Sequence, residues 1–212
     1  MFGLVGPDGA GKSTTFDLLL DHVQPSAGTA TVVGLDSRVE VRTLHERIAV
    51  LGDDYSLHPG MSGREHVEFA IARRTPMTPR NPYSIGWVLI RRTAARPAGD
   101  YAAATTQRLA FGMALVGAPD LLLLDEPFAG LEPTGVQETY DIVREESRRG
   151  TTVLLASPRV AHVEAVCDRA AVLDDGRLVS VTAADALGDV AATARCSHRR
   201  TTPDTTRSVL QS

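Results

Sequence analysis

The chain has almost no lysine. Of its 22 basic residues 21 are arginine, and Lys12 is the only lysine in 212 residues. It has two cysteines, Cys167 and Cys196, far apart and at no metal-binding or redox spacing. Free thiols in a cytoplasmic chain are therefore expected. Its longest apolar runs, Ile85 to Ile90 and Leu121 to Leu124, fall far short of the ~20 residues that a membrane span needs. No signal peptide is expected before the glycine-rich stretch that begins at Gly6. Any membrane role is thus expected to come through a partner. Excess positive charge is lacking too: the net charge is −4, which gives no bulk electrostatic support for nucleic-acid binding. What is present is enough apolar residue, 43%, to build a real core, with one domain as the default.

The lone lysine has a telling address. Gly6-Pro7-Asp8-Gly9-Ala10-Gly11-Lys12-Ser13-Thr14 fits the phosphate-loop pattern G-x-x-x-x-G-K-[ST]. The apolar run Phe2-Gly3-Leu4-Val5 precedes it as a strand, and Phe16, Leu19, Leu20 and Val23 follow at helical spacing. Glycines let backbone N–H groups curl around phosphate oxygens, and the helix N-terminus adds its positive dipole end. Gly6, Gly9, Ala10, Gly11, Lys12, Ser13 and Thr14 are the candidate nucleotide-binding residues. Lys12 would reach the β- and γ-phosphates, and the Ser13 hydroxyl would ligate Mg2+. A chain that otherwise uses arginine places a compact ammonium where a point charge is needed. The bland alternative is a glycine turn with an incidental lysine.

Downstream, strands and helices alternate. Thr29–Val33, Ile48–Leu51, Leu121–Leu124, Thr152–Ala156, Ala170–Leu173 and Leu178–Val181 read as strands. Val39–Arg47, Gly63–Arg74, Gln107–Val116, Pro133–Arg149 and Val160–Cys167 read as helices. Val67, Ala70 and Ile71 are expected on one inward face, as are Val136, Tyr140 and Val143. Three prolines between Thr75 and Pro82 exclude regular helix there. The fold class is α/β: a mainly parallel sheet flanked by helices, with a small helical insertion over about 62–118. From Asp189 onward the chain is rich in Thr, Arg and Ser without apolar period, and disorder is expected over roughly 182–212.

Leu121 to Leu124 reads as a strand buried on both faces, ending in Asp125-Glu126. A carboxylate there can hold the Mg2+ that Ser13 also ligates, so Ser13 and Asp125 form the metal pair. Glu126, one residue on, is placed to polarise a water for attack on the γ-phosphate, as general base. Otherwise both acids simply begin a solvated loop.

Gly6 to Thr14, Leu121 to Pro127, and Ala129-Gly130-Leu131-Glu132-Pro133 together closely resemble the ATPase subunits of ABC transporters, most of all drug- and polysaccharide-exporter subunits. Pro25 to Gly34 and Val163 to Arg169 extend the resemblance. It runs from about residue 2 to 181 and implies a P-loop NTPase (RecA-like) domain over 1–181. It also implies ATP and Mg2+ as cofactors, a separate transmembrane permease and a second ATPase subunit as partners, and a peripheral place on the inner membrane face. In that family two subunits sandwich two ATP molecules, each held by one subunit's phosphate loop and the other's LSGGQ signature.

Three positions depart from the pattern. The glutamine of the glutamine loop falls on Asp53, where an ionised carboxylate only accepts hydrogen bonds. The signature falls on Tyr101-Ala102-Ala103-Ala104-Thr105, which removes a hydroxyl and the close backbone approach of paired glycines. The switch histidine falls on Pro158, which has no side-chain donor; Arg159 beside it is a conceivable substitute. The family also carries two or more antiparallel strands before the loop, with an aromatic that stacks on adenine, and here only Met1 to Val5 precede it. Stacking of this kind is worth ~1–3 kcal/mol, so its loss weakens ATP binding roughly 10- to 100-fold. A misassigned start, a fragment or a decayed copy would each give such a beginning.

Two readings stay open on sequence. One is a working ATPase subunit that couples ATP to export. The other is a catalytically impaired nucleotide-binding subunit, the structural or regulatory half of a heterodimer or a non-functional copy. A small-molecule kinase shares the loop, but Asp125-Glu126-Pro127 followed by Ala129 to Pro133 argues against it. Cys196 and His198 lack further ligands for a metal. Arg73, Arg74, Arg80, Arg91, Arg92 and Arg96 read as a solvated or partner-facing surface. The resemblance would dock a permease at this insertion and at the loop of Asp53. His22, His45, His58, His66 and His162 match no catalytic spacing.

Overall fold

The computed structural model describes residues 1–52, 55–73 and 95–188. Asp53, the proline-rich stretch and Trp87 of the insertion, and the tail with Cys196 and His198 lie outside them. A six-stranded sheet runs through the molecule in the order β4-β5-β6-β1-β7-β8. Its strands are β1 (Phe2–Val5), β4 (Ile48–Leu51), β5 (Leu121–Asp125), β6 (Thr152–Ser157), β7 (Arg169–Asp174) and β8 (Arg177–Ala183). All neighbouring pairs are parallel except β7 and β8. A separate two-stranded hairpin joins β2 (Thr31–Val32) to β3 (Leu35–Asp36).

Helices cover both faces: α1 (Lys12–Leu19), α2 (Val41–Arg47), α3 (Gly63–Arg73), α4 (Ala103–Ala114), α5 (Pro133–Arg148) and α6 (Val160–Val166). Burial on both sides explains why β5 is a continuous leucine run. Leu122 and Leu124 join one core with Phe111, Val143, Val153 and Leu155. Leu121 and Leu123 join the other with Leu4, Phe16, Leu44 and Ile48. A third, small cluster packs Val67 of α3 against Leu109 of α4.

Several local expectations shift. The strand expected over Thr29–Val33 is the two residues Thr31–Val32, because Val33 (φ +47°) and Gly34 (φ +81°) turn the chain straight back into β3. Helix α1 stops at Leu19, Asp21 takes φ +57°, and Val23 is 46% exposed instead of packed. Helix α4 begins four residues before Gln107, since the alanines and threonines there carry no apolar period yet alanine is the best helix former. Ile71 is exposed, not inward, because α3 turns its narrow stripe of Gly63, His66 and Val67 to the interior. Val143 is buried as expected, with Val136 and Tyr140 half-buried beside it.

Candidate functional site

All five parallel strands end on the same edge of the sheet, and ligands of open α/β sheets bind beyond such carboxyl ends. Register fixes what meets there. Leu4 of β1 pairs with Ala156 of β6, which pairs with Asp125 of β5. The phosphate loop, leaving β1 one residue after Val5, therefore stands level with Glu126, whose N–H donates to the Ala156 carbonyl at 3.0 Å.

The loop is built to lie close to the sheet. A Cβ on Gly6 would collide with the Leu173 carbonyl of β7, which is why this position takes no side chain. Gly9 and Gly11 hold φ of +79° and +97°, in the region that favours glycine. Ala10 is buried, its N–H donating to the Pro7 carbonyl at 3.1 Å. Its own carbonyl accepts from the Gly176 N–H at 3.1 Å. Asp175 and Gly176 form the two-residue turn between β7 and β8, both at positive φ. The far hairpin thus props the loop, a support that the Asp-Gly signal marks as a turn but does not aim.

Lys12, first residue of α1, is 5% exposed. Its Nζ donates to the carbonyls of Gly6 and Pro7, each at 3.0 Å, and lies 3.9 Å from Glu126 Oε1. The ammonium thus sits inside the loop and spans β1 and β5. Ser13 and Thr14 are exposed at the start of the same helix. Asp125 is 6% exposed at the end of β5, and Glu126 is half-buried with φ +46°. An exposed hydroxyl and a buried carboxylate are hard oxygen donors, too few to cage a cation. Mg2+ fits such a set, taking one or two protein ligands and completing its shell with phosphate oxygens and water. Among the described residues no three His, Cys, Asp or Glu groups gather for a softer metal.

Beyond β5 the chain is clamped from several elements. Gln107 of α4 donates through its amide to the Pro127 carbonyl at 2.9 Å. Arg108 pairs with Glu138 of α5. Phe128 is buried, its ring centroid 5.0 Å from Tyr140 and 4.5 Å from His162. Burial in this stack, reinforced by nearby Arg159, holds the His162 imidazole below its usual pKa. Neither Gln107 nor His162 stands out in the sequence as part of this corner, since they lie 20 and 34 residues from the groups they touch. Cys167 is buried, its thiol pushed up to about 12 by desolvation, and so chemically quiet.

The departing positions are placed differently. Ala102 caps α4 without a side-chain hydrogen bond, and Ala102 and Ala103 are exposed. Pro158 and Arg159 are exposed just after β6, the Arg159 N–H donating to Ser157 Oγ at 3.2 Å.

Residues 1–129 match the family described as ABC transporter. The chain belongs to the ABC transporter family. A daunorubicin/doxorubicin resistance ATP-binding protein of Streptomyces peucetius is 36% identical over 193 residues, covering 85% of this chain and 56% of its own length. A solved ATP-binding subunit of an ABC transporter superposes with TM-score 0.77 at 23% identity, over 89% of this chain and 80% of that one. An ATP-binding cassette solved as a dimer in a post-hydrolysis state, bound to ADP and Pi, gives 0.73 at 18%, over 87% and 85%. These likenesses bear out the P-loop α/β fold and the family expected from the motifs. The ABC chain spans three fifths or less of the first curated relatives it matches.

Proposed function

We propose that this chain is the ATP-binding subunit of an ABC exporter, coupling ATP binding and hydrolysis to a separate membrane permease. The observation that carries it is the buried Lys12 ammonium, held by the Gly6 and Pro7 carbonyls 3.9 Å from Glu126 at the carboxyl edge of the sheet. A triphosphate entering there replaces neutral carbonyl acceptors with anionic phosphate oxygens, pairing the ammonium with opposite charge. Gly6, Gly9, Ala10, Gly11 and Thr14 cradle the phosphates through the loop and the first turn of α1. Ser13 and Asp125 would hold Mg2+, which would supply positive charge to offset that of the phosphates. Glu126 orients and deprotonates the attacking water. Residues 1–181 form the ATP-binding domain, with the helical part over about 62–118.

Relatives named for daunorubicin/doxorubicin resistance and for fluoroquinolone export support transport as the coupled process. The dimeric cassette supports pairing with a second ATPase subunit. No described helix is long and apolar enough to cross a membrane, so a peripheral position on the cytoplasmic face, through a permease, goes with this reading. Phosphate release by the purified chain with MgATP, compared with Lys12→Ala and Glu126→Gln, tests it. Turnover that both substitutions remove is expected, and release no faster than in Lys12→Ala would sink it.

A second reading, nucleotide binding with slow turnover, is favoured by exposed Pro158 and the uncapped Ala102 end of α4. Loss of one positioned donor costs ~10²–10³ in rate. ATP-dependent association with a second ATPase chain, together with turnover only in that complex, is its signature.

A further inference from the structure

Glu126 holds a backbone conformation that a glutamate does not choose for itself. Its φ is +46°, in the region that favours glycine, and the proline that follows biases it towards extended backbone instead. Such a conformation persists only where its surroundings over-determine it. Three hydrogen bonds do so. The Glu126 N–H donates to the Ala156 carbonyl of β6 at 3.0 Å, and the Glu126 carbonyl accepts from the Ala129 N–H at 3.0 Å. The next carbonyl along, that of buried Pro127, accepts from the Gln107 amide at 2.9 Å. The first two are backbone bonds of the segment and its neighbouring strand. The third is a side-chain bond reaching across from α4.

Helix α4 holds this segment and the helix that follows it. One residue after Gln107, Arg108 pairs with Glu138 in the second turn of α5, just beyond the stretch that Pro127 begins. A rotation of the Pro127–Phe128 peptide changes ψ at Pro127 and φ at Phe128, which moves Ala129 and opens its bond to the Glu126 carbonyl. With that bond open, less holds Glu126 at positive φ, and its carboxylate is free to move relative to Lys12 Nζ. We infer that Gln107 is a positioning residue for Glu126: its amide fixes the Pro127 carbonyl and so holds the carboxylate in reach of Lys12. The inference rests on the general-base role proposed for Glu126. Gln107 itself touches no nucleotide in this scheme.

Two substitutions separate positioning from packing. Gln107→Ala removes the donor. Gln107→Glu keeps the size and, when ionised, presents an acceptor to the Pro127 carbonyl. Phosphate release and hydrogen exchange over residues 126–132 are measured on the full chain with MgATP. For Gln107→Ala we expect kcat to fall about 10- to 100-fold, with KM within about threefold. The Ala129 amide is expected to exchange about tenfold faster, as its bond to Glu126 opens more often. For Gln107→Glu the rate relative to wild type at the same pH should recover as pH falls from about 8 towards about 5, where the introduced carboxyl regains a proton to donate. Wild-type kcat and wild-type exchange in Gln107→Ala would overturn the inference, as would a pH-independent ratio for Gln107→Glu. Wild-type turnover no greater than that of Lys12→Ala defeats the ATPase reading by itself. Hydrogen exchange then decides Gln107 alone: faster exchange at Ala129 upholds its hold on the segment, and unchanged exchange ends it.

Discussion

Two regions at the same edge of the sheet are made in opposite ways. The phosphate loop is enclosed: Lys12 is tied to two loop carbonyls, Gly6 lies against β7, and Gly176 bonds Ala10 from the next hairpin. The start of α4 and the residues after β6 are open. Ala102, Ala103, Pro158 and Arg159 are exposed, and α4 begins without a side-chain cap. The first region works through backbone groups and one ammonium that a single chain can hold in place. The second offers a helix dipole and a lone guanidinium, and its chemistry depends on what approaches it. On the proposed function, nucleotide binding and turnover therefore rest on separate structures and can be broken separately.

The largest effect is expected at the centre of the enclosed region. Lys12→Ala should weaken MgATP binding at least about 100-fold, because the loop loses its only buried cation facing several phosphate charges. Titration with a fluorescent ATP analogue checks this, and near wild-type affinity would erase the contrast. Next comes Glu126→Gln, expected to lower phosphate release by about 10²–10⁴-fold, the usual worth of a positioned base, while leaving affinity within a few-fold. An equal loss of affinity and rate would mean that the two functions are not separable.

The open region predicts a gain. Pro158→His, combined with Ala102→Ser, Ala103→Gly and Ala104→Gly, should raise kcat about tenfold or more, by restoring groups of the kind whose removal costs ~10²–10³. Single-turnover assays are the check, and no gain would show that the bare helix end is not what limits the rate. A smaller effect, read on stability, is expected at Gly6. In Gly6→Ala the new methyl meets the Leu173 carbonyl and Ala10, and overpacking of this kind costs about 1–3 kcal/mol, readable by denaturant titration.

The smallest effect concerns His162. Its folded-state pKa lies below the unfolded value because burial and Arg159 disfavour the charged ring. The unfolded chain therefore binds more protons just below pH 6.5, the ordinary histidine value. The stability from neutral His162 is complete above that pH and declines as pH falls towards the folded pKa. His162→Phe should flatten the thermal midpoint between about pH 5 and pH 7. An unchanged pH slope would remove His162 from the account.

Much of the enclosed region was legible without coordinates. Gly6, Lys12 and Asp125-Glu126 announce themselves because phosphate and magnesium chemistry demand those residue types at fixed spacing. Strands β1, β4, β5, β6 and β7 announce themselves because burial on both faces demands unbroken apolar runs. The start of α4 was not legible, since exposed alanines and threonines carry no period. Nor was the brevity of β2, which positive φ at Val33 and Gly34 cuts short. Exposed Val23 and Ile71 were misjudged for one reason: apolar spacing marks a face that could be buried, not one that has a neighbour.

The residue types and their order along the chain were readable from the amino acids alone: one lysine in a glycine loop, two acids after a leucine strand, and three positions that depart from the family pattern. Which of these groups meet is set by the folding of the sheet and its helices. It brought Lys12 to 3.9 Å from Glu126, set Gly176 beneath Ala10, and hung the Pro127 carbonyl on Gln107. The reason is physical. Motif residues are chosen by the ligand they serve and so recur in recognisable patterns. The residues that hold them in place are chosen by strand register and helix packing, and those link positions tens of residues apart that share no local pattern.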